Sequence, residues 1–99
     1  MSKHFFKAET VDGLLQVQMG WDKPMQNFYC VIFKFEDEEK ETLSTWEDPV
    51  YSNLNEPPQS LEYYLSVCKK LGLDIPHQMI DAIQWDGDFD IVNEERYWN

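Results

Sequence analysis

The run at positions 28–35, Phe-Tyr-Cys-Val-Ile-Phe-Lys-Phe, decides the fold of this chain. Successive side chains of a β-strand point to opposite faces of a sheet, and seven of these eight side chains are apolar. Tyr29, Val31 and Phe33 therefore share one face, while Cys30 and Ile32 share the other. Because both faces are apolar, the run predicts a central strand that is covered on both sides.

The segments around this run predict a β-meander. Residues 14–21 alternate between apolar and polar side chains, as a strand with one buried face does. Residues 4–11 form a shorter β-prone run, and Asp12-Gly13 between the two runs predicts a tight type I′ hairpin turn. Residues 36–41 are too charged to bury and predict an exposed turn, and residues 42–46 predict a fourth strand.

The periodicity changes to that of helices after a linker at residues 52–59. Ser60 is a predicted N-cap, and a second helix is expected to begin near Pro76 and to end by Asp86-Gly87. The tail has a candidate short strand at 89–92. The sequence thus predicts one α+β domain over residues 1–99, with an antiparallel β-meander of about four strands followed by two short helices packed on one sheet face. The apolar stripe of the first helix comprises Leu61, Tyr64, Leu65, Cys68 and Leu71.

Composition and charge exclude several classes of protein. The chain has 99 residues, of which 42% are hydrophobic and 15% aromatic, so a folded globular domain is expected. No apolar run approaches the length of a membrane-spanning helix, and the first residues lack the apolar stretch of a secretory signal. These features predict a cytoplasmic protein that does not associate with membranes.

The net charge is −11, and it is distributed unevenly. Residues 1–34 carry four lysines against three carboxylates, whereas residues 35–99 carry four basic residues against sixteen carboxylates, a sum of −12. Direct binding to nucleic acid is therefore disfavoured. The acidity is consistent either with a partner that has a basic surface or with a role in solubility alone.

No residue pattern indicates catalysis or a cofactor. His4, Cys30, Cys68 and His77 stand alone, without the close spacing that zinc ligands show. Both cysteines lie in apolar surroundings, which predicts free buried thiols. There is no G-x-S-x-G motif, and the glycines do not cluster into a phosphate-binding loop. We therefore expect a protein that is not an enzyme and has no cofactor and no metal.

The acidic segment at residues 86–90, Asp-Gly-Asp-Phe-Asp, resembles the beginning of a calcium-binding EF-hand loop. The sixth position of such a loop is glycine and the twelfth is glutamate, but here they are Ile91 and Tyr97. The segment is therefore predicted to be a polar turn after the second helix.

The candidate partner-binding residues are acidic side chains after the central strand and aromatic side chains in the tail. The four tryptophans mostly fill the core in this interpretation, but tail aromatics are harder to bury and suit an interface. The predicted set is Glu36, Glu38, Glu39, Glu41, Tyr97 and Trp98.

Several short stretches resemble small bacterial proteins of unassigned function. They are Gly20-Trp21-Asp22-Lys23-Pro24 with the following Phe28-Tyr29, Val50-Tyr51-Ser52-Asn53-Leu54, and Leu71-Gly72-Leu73-Asp74-Ile75-Pro76. The resemblance spans about residues 14–83. It implies a cytosolic protein of a bacterium or a mobile element, and it carries over no catalytic residue.

Two functional hypotheses follow from these observations. The first is a non-enzymatic module that acts through protein–protein interaction, with another protein as its partner; a homodimer is compatible with it. The second is an acidic nucleic-acid mimic, of the anti-restriction or anti-CRISPR type, that blocks a basic nucleic-acid-binding surface. An enzyme that uses the carboxylates ranks third.

Overall fold

The computed structural model of the protein describes residues 1–37, 42–43, 49–53, 56–91 and 94–98, with the backbone alone at residues 36–37 and 42–43. These described residues form six strands and two helices, in the order β1 (Lys3–Thr10), β2 (Gly13–Asp22), β3 (Asn27–Asp37), β4 (Thr42–Leu43), β5 (Tyr51–Ser52), α1 (Leu61–Lys70), α2 (His77–Asp88) and β6 (Glu95–Trp98).

The strands form a mixed sheet in the order β4-β3-β2-β1-β6, and β5 also pairs with β3. The neighbouring strands β1, β2 and β3 are antiparallel, as predicted. In contrast, β6 runs parallel to β1, with Lys3 opposite Glu95 and Phe6 opposite Trp98. The sheet is therefore not a purely antiparallel meander, because the tail strand pairs with β1 in parallel.

Two local predictions differ from the structure. The β1–β2 hairpin forms, but Thr10 pairs with Gly13, so the turn residues are Val11 and Asp12 rather than Asp12 and Gly13. The tail strand is β6 rather than residues 89–92, because α2 continues to Asp88 and residues 89–91 follow it without joining the sheet. Residue 92 lies outside the described part of the chain. The fourth strand is described only as β4, and positions 44–46 are not described.

Helix α1 begins at the predicted N-cap, Ser60, and a glycine follows its last turn. The Ser60 hydroxyl accepts a hydrogen bond from the Tyr63 amide, which satisfies one of the unpaired amides of the first turn. Gly72 has a φ of +85°, and the amides of Gly72 and Leu73 donate to the carbonyls of Lys69 and Cys68. This pattern is a Schellman motif, which reverses the chain direction toward α2.

Both helices pack on one face of the sheet, which confirms the predicted α+β arrangement. Cys30 and Cys68 are buried there as free thiols, and the hydrogen bond between them, together with burial, holds the pKa of Cys30 well above its usual value. The buried residues of this core are Leu15, Val17, Met19, Cys30, Ile32, Leu61, Tyr64, Cys68, Leu73, Ile75, Met79 and Ile83.

A second, smaller cluster covers the opposite face of β3. Tyr29, Val31 and Phe33 are buried together there, and each is at most 5% exposed. The alternation of these residues with Cys30 and Ile32 means that β3 has two buried faces. This confirms the central, doubly covered strand that the sequence predicts.

The residues before β1 are held against β2 at a glycine. The Ser2 amide donates to the Trp21 carbonyl, and the Ser2 hydroxyl accepts from the Trp21 amide, both at 2.9 Å. A Cβ atom at Gly20 would lie 2.2 Å from the Ser2 carbonyl oxygen. Only glycine therefore allows this close approach of two backbones.

We expect Gly20→Ala to lower the free energy of unfolding by about 1–3 kcal/mol, because a backbone segment must move to admit the methyl group. Urea denaturation measures the change. Gly87→Ala is the matched control: its Cβ meets the end of the Phe28 ring, which is half-buried and can turn, and alanine is favoured inside a helix. Equal losses in the two variants would contradict this explanation.

Candidate interaction surface and the network behind it

Helix α2 presents two chemically different faces. Met79, Ile83 and Asp86 are buried against the rest of the protein. The spacing of 3.6 residues per turn places positions 81, 85 and 88 on the opposite side of the helix, and Phe89 follows its last residue. Asp81, Trp85, Asp88 and Phe89 are all exposed there, and we call these four residues the aromatic–acidic face.

The two rings of this face are in contact with each other and open to solvent. The ring centroids of Trp85 and Phe89 are 4.1 Å apart, and the ring planes are tilted by 33°. The two residues are 58% and 59% exposed. The rings therefore form a preformed apolar patch, because each restricts the rotamers of the other.

Carboxylates flank the rings, and no lysine or arginine occurs in α2. Asp88 accepts a hydrogen bond from the Gln84 amide at 3.1 Å. Within the described ranges, no lysine or arginine forms an ion pair with Asp81 or Asp88. The last turn of α1, in contrast, carries two lysines. Cations are favoured at the negative end of a helix dipole, so the last turn of α2 has the less favourable charge.

The chain immediately after α2 is fastened to the β2–β3 turn through Asp90. The Trp21 indole donates to the Asp90 carboxylate at 2.7 Å, and the Gln26 side-chain amide donates to it at 3.1 Å. The hydrogen bond from Trp21 is the main reason why the pKa of Asp90 is lowered, and Lys23, 3.7 Å away, adds to it. These contacts fix the end of α2 next to Phe89.

A buried polar network lies behind the aromatic–acidic face. His4 and Asp86 are 0% and 1% exposed, and His4 Nε2 is 2.6 Å from Asp86 Oδ2. The Trp98 indole N–H is 3.0 Å from His4 Nδ1. An indole N–H can only donate, so Nδ1 accepts, and the ring hydrogen is on Nε2, where it is donated to Asp86. The network joins β1, α2 and β6.

Glu94 extends the network at its more exposed end. Burial and a hydrogen bond with Asp86 raise the pKa of Glu94. His4 Nε2 is 4.0 Å from the nearer Glu94 oxygen.

The same three residues are a candidate metal-binding set, but their chemistry does not fit one. Single donor atoms of His4, Asp86 and Glu94 lie within 4.8 Å of one another. A histidine that binds a metal through Nε2 normally donates its other N–H to an acceptor. Here Nδ1 faces the Trp98 donor instead, and Nε2 carries the hydrogen. We interpret the cluster as a structural network that locks α2 to the sheet.

A separate cavity lies on the sheet face opposite the helices. Its volume is about 230 Å³, and its lining is mostly apolar, with Val31 and Tyr29 among the residues that form it. The Tyr29 hydroxyl donates to the Ser2 carbonyl and accepts from the Gln18 side chain. Burial raises the pKa of Tyr29 to about 12. This hydroxyl is therefore a structural group rather than an acid or base near neutral pH.

Tyr97 and Trp98, the two predicted site residues whose side chains the structure describes, lie on opposite faces of the sheet. Tyr97 is 70% exposed and stacks on Phe5 with a centroid distance of 4.7 Å. Trp98 is half-buried on the other face of the sheet, where it bonds to His4. The backbone of Glu36 belongs to β3, but its side chain lies outside the described part, as do Glu38, Glu39 and Glu41 entirely.

Two sets of residues were not anticipated from the sequence. The spacing of Trp85 and Phe89, four positions apart and out of phase with Met79 and Ile83, was the available signal for the exposed ring pair. The acidic segment at 86–90 was expected to be a turn, but its first three residues form the last turn of α2, and Asp86 is buried. No local signal connects Asp86 with His4, 82 positions away.

Comparison with known proteins yields no match to a family model, to a curated protein or to a solved structure. None of the helices in the described ranges has the length and apolar character needed to cross a membrane.

Proposed function

We propose that the protein is a small acidic module that acts by binding another protein and catalyses no reaction itself. The observation that carries this proposal is the exposed, stacked pair of Trp85 and Phe89. Large aromatic residues dominate the binding energy of many interfaces, and contiguous exposed apolar patches commonly mark interaction sites.

Charge and burial support the same proposal. A net charge of −11 favours a partner with a basic surface, because opposite fields accelerate encounter. The His4–Asp86 pair, which resembles part of a catalytic apparatus, is buried, and both ring nitrogens of His4 are engaged in hydrogen bonds. This pair is therefore better suited to holding the fold than to meeting a substrate.

Affinity capture from the native cell, followed by kinetics with the purified partner, tests the proposal. We expect saturable binding whose association rate falls about tenfold between ~10 and ~150 mM salt, because the screening length shrinks from about 30 to about 8 Å. The dissociation rate should change less. If capture yields no protein beyond those retained by an unrelated protein of equal charge, the proposal is wrong.

The same assay separates this function from the nucleic-acid mimic. That hypothesis depends on Glu36, Glu38, Glu39 and Glu41, and it requires that the partner bind nucleic acid at the occupied surface. Displacement by an oligonucleotide, together with slower association when these four residues are changed to glutamine, would favour the mimic. Binding that persists with an excess of oligonucleotide favours the general protein-binding module.

A further inference from the structure

We infer that the aromatic–acidic face of α2 is the contact surface, and that it receives a partner segment in which arginine or lysine adjoins an apolar side chain. This inference rests on the proposed function and deepens it. It names the four residues Asp81, Trp85, Asp88 and Phe89 as the site.

The first step of the argument is the geometry of the rings. Trp85 and Phe89 are more than half exposed, yet they contact each other at 4.1 Å. A rigid aromatic pair gives up little conformational entropy on binding, because its rotamers are already restricted. The flat faces of such rings accept apolar groups and also attract cations through their π electrons.

The second step is the charge that remains unpaired at this end of α2. Asp86 is hydrogen-bonded to His4. Asp90 accepts hydrogen bonds from Trp21 and Gln26 and forms an ion pair with Lys23. Asp88 and Asp81 have no cationic partner among the described residues. Asp88 adds its charge to the negative end of the helix dipole, which favours a cation, and Asp81 lies about two turns earlier on the same side of the helix. A basic group supplied by a partner would offset the repulsion between the Asp88 carboxylate and the negative end of the helix dipole.

The third step is the support behind the face. Asp86 lies between Trp85 and Gly87, and its bond to His4 anchors this turn to β1. Gly87 allows the helix to approach the Phe28 ring closely. Asp90 fastens the chain just beyond Phe89. A surface held in this way keeps its geometry between the free and bound states, which lowers the cost of binding.

A second stacked pair, half-buried Phe5 and exposed Tyr97, has a different charge environment. It lies at the β1–β6 edge of the sheet. The two strands carry three cations, Lys3, Lys7 and Arg96, against two carboxylates, Glu9 and Glu95. These cations make that edge a poorer receptor for a basic segment. The aromatic–acidic face is therefore the better match for a positively charged partner.

The occupant is best described as a guanidinium or ammonium group over the Trp85 ring, within reach of a carboxylate, with a neighbouring apolar side chain against Phe89. Arginine suits this arrangement better than lysine because its planar group stacks on aromatic rings and bonds to carboxylates at the same time. The probe for the test is a short capped peptide with the core Arg-Leu-Arg. Its matched control contains citrulline, which keeps the shape but removes the charge.

Binding can be followed by two-dimensional ¹⁵N NMR, with the Trp85 indole signal assigned from Trp85→Phe. We expect the arginine peptide to shift this signal saturably and the citrulline peptide to bind more weakly. Trp85→Ala should weaken peptide binding about tenfold, and Asp81→Asn or Asp88→Asn about two- to fivefold each. Asp12→Asn and Tyr63→Ala remove an exposed charge and an exposed ring elsewhere, and they should leave binding unchanged.

Two results would overturn the inference. One is a set of shifts scattered over many acidic residues and unaltered by Trp85→Ala; the other is equal binding of the two peptides. The purified partner gives an independent answer. Full affinity of the Trp85→Ala and Phe89→Ala variants for that partner would reject this site while leaving the protein-binding function intact. Absence of any partner would reject the proposed function itself.

Discussion

Replacing Asp86 with alanine is expected to lower the free energy of unfolding by about 1–3 kcal/mol, the usual cost of leaving a buried hydrogen-bond donor without an acceptor. The His4 Nε2–H loses its acceptor in a site that water does not reach. Glu94 loses its hydrogen-bond partner at the same time. Because a small domain has only about 5–15 kcal/mol of stability, this loss is a large fraction of the total.

Asp88→Ala is the matched control, since it removes the same side chain from the exposed side of the same helical turn. Its stability should stay within about 0.5 kcal/mol of the parent value. Chemical denaturation followed by circular dichroism measures both variants. If Asp86→Ala is as stable as Asp88→Ala, the His4–Asp86 pair does not lock α2 to the sheet.

Phe33→Ala is the second change with a large expected effect, about 3–5 kcal/mol of unfolding free energy. Phe33 is 5% exposed and packs with Tyr29 and Val31 on the sheet face that lacks helices. The loss combines the transfer free energy of the ring with the cavity that remains, because a central strand cannot easily close around it.

Phe89→Ala removes an equal side chain from the exposed pair on α2 and serves as the control. We expect its thermal transition to stay near that of the parent protein, whereas Phe33→Ala should melt well below it. An unchanged melting temperature for Phe33→Ala would mean that the second cluster contributes little to the fold. The Phe89→Ala variant is expected to weaken binding of the partner without a loss of stability. The Phe33→Ala variant is expected to lower the stability.

The elements that the sequence predicted well are those specified by neighbouring residues. The two apolar faces of β3 follow from the nearly unbroken apolar run at positions 28–35, because successive side chains point to opposite faces. The start and end of α1 follow from Ser60 and Gly72, whose side chain and backbone act within one turn. Such signals need no knowledge of the rest of the chain, because the interactions are local.

The elements that escaped prediction depend on contacts between distant positions. Strand β6 has no alternating pattern, and it becomes a strand because β1 offers it a free edge. Likewise, His4 is an isolated histidine in the sequence, because Asp86 and Trp98 approach it only in the folded chain. The sequence predicts that the tryptophans mostly fill the core, but the turn that carries Trp85 continues α2 and points the ring outward.

The parallel pairing of β1 with β6 also constrains the order in which the protein can fold. Strands β1, β2 and β3 are joined by short turns and can assemble early, whereas joining Lys3 to Glu95 closes a loop that spans nearly the whole chain. Such distant pairings are slow to form. Until β6 arrives, β1 is an open edge that can recruit strands from other molecules, and His4 lacks its Trp98 donor. In the folded protein, β6 covers the edge of β1 through which strands of other molecules could otherwise pair.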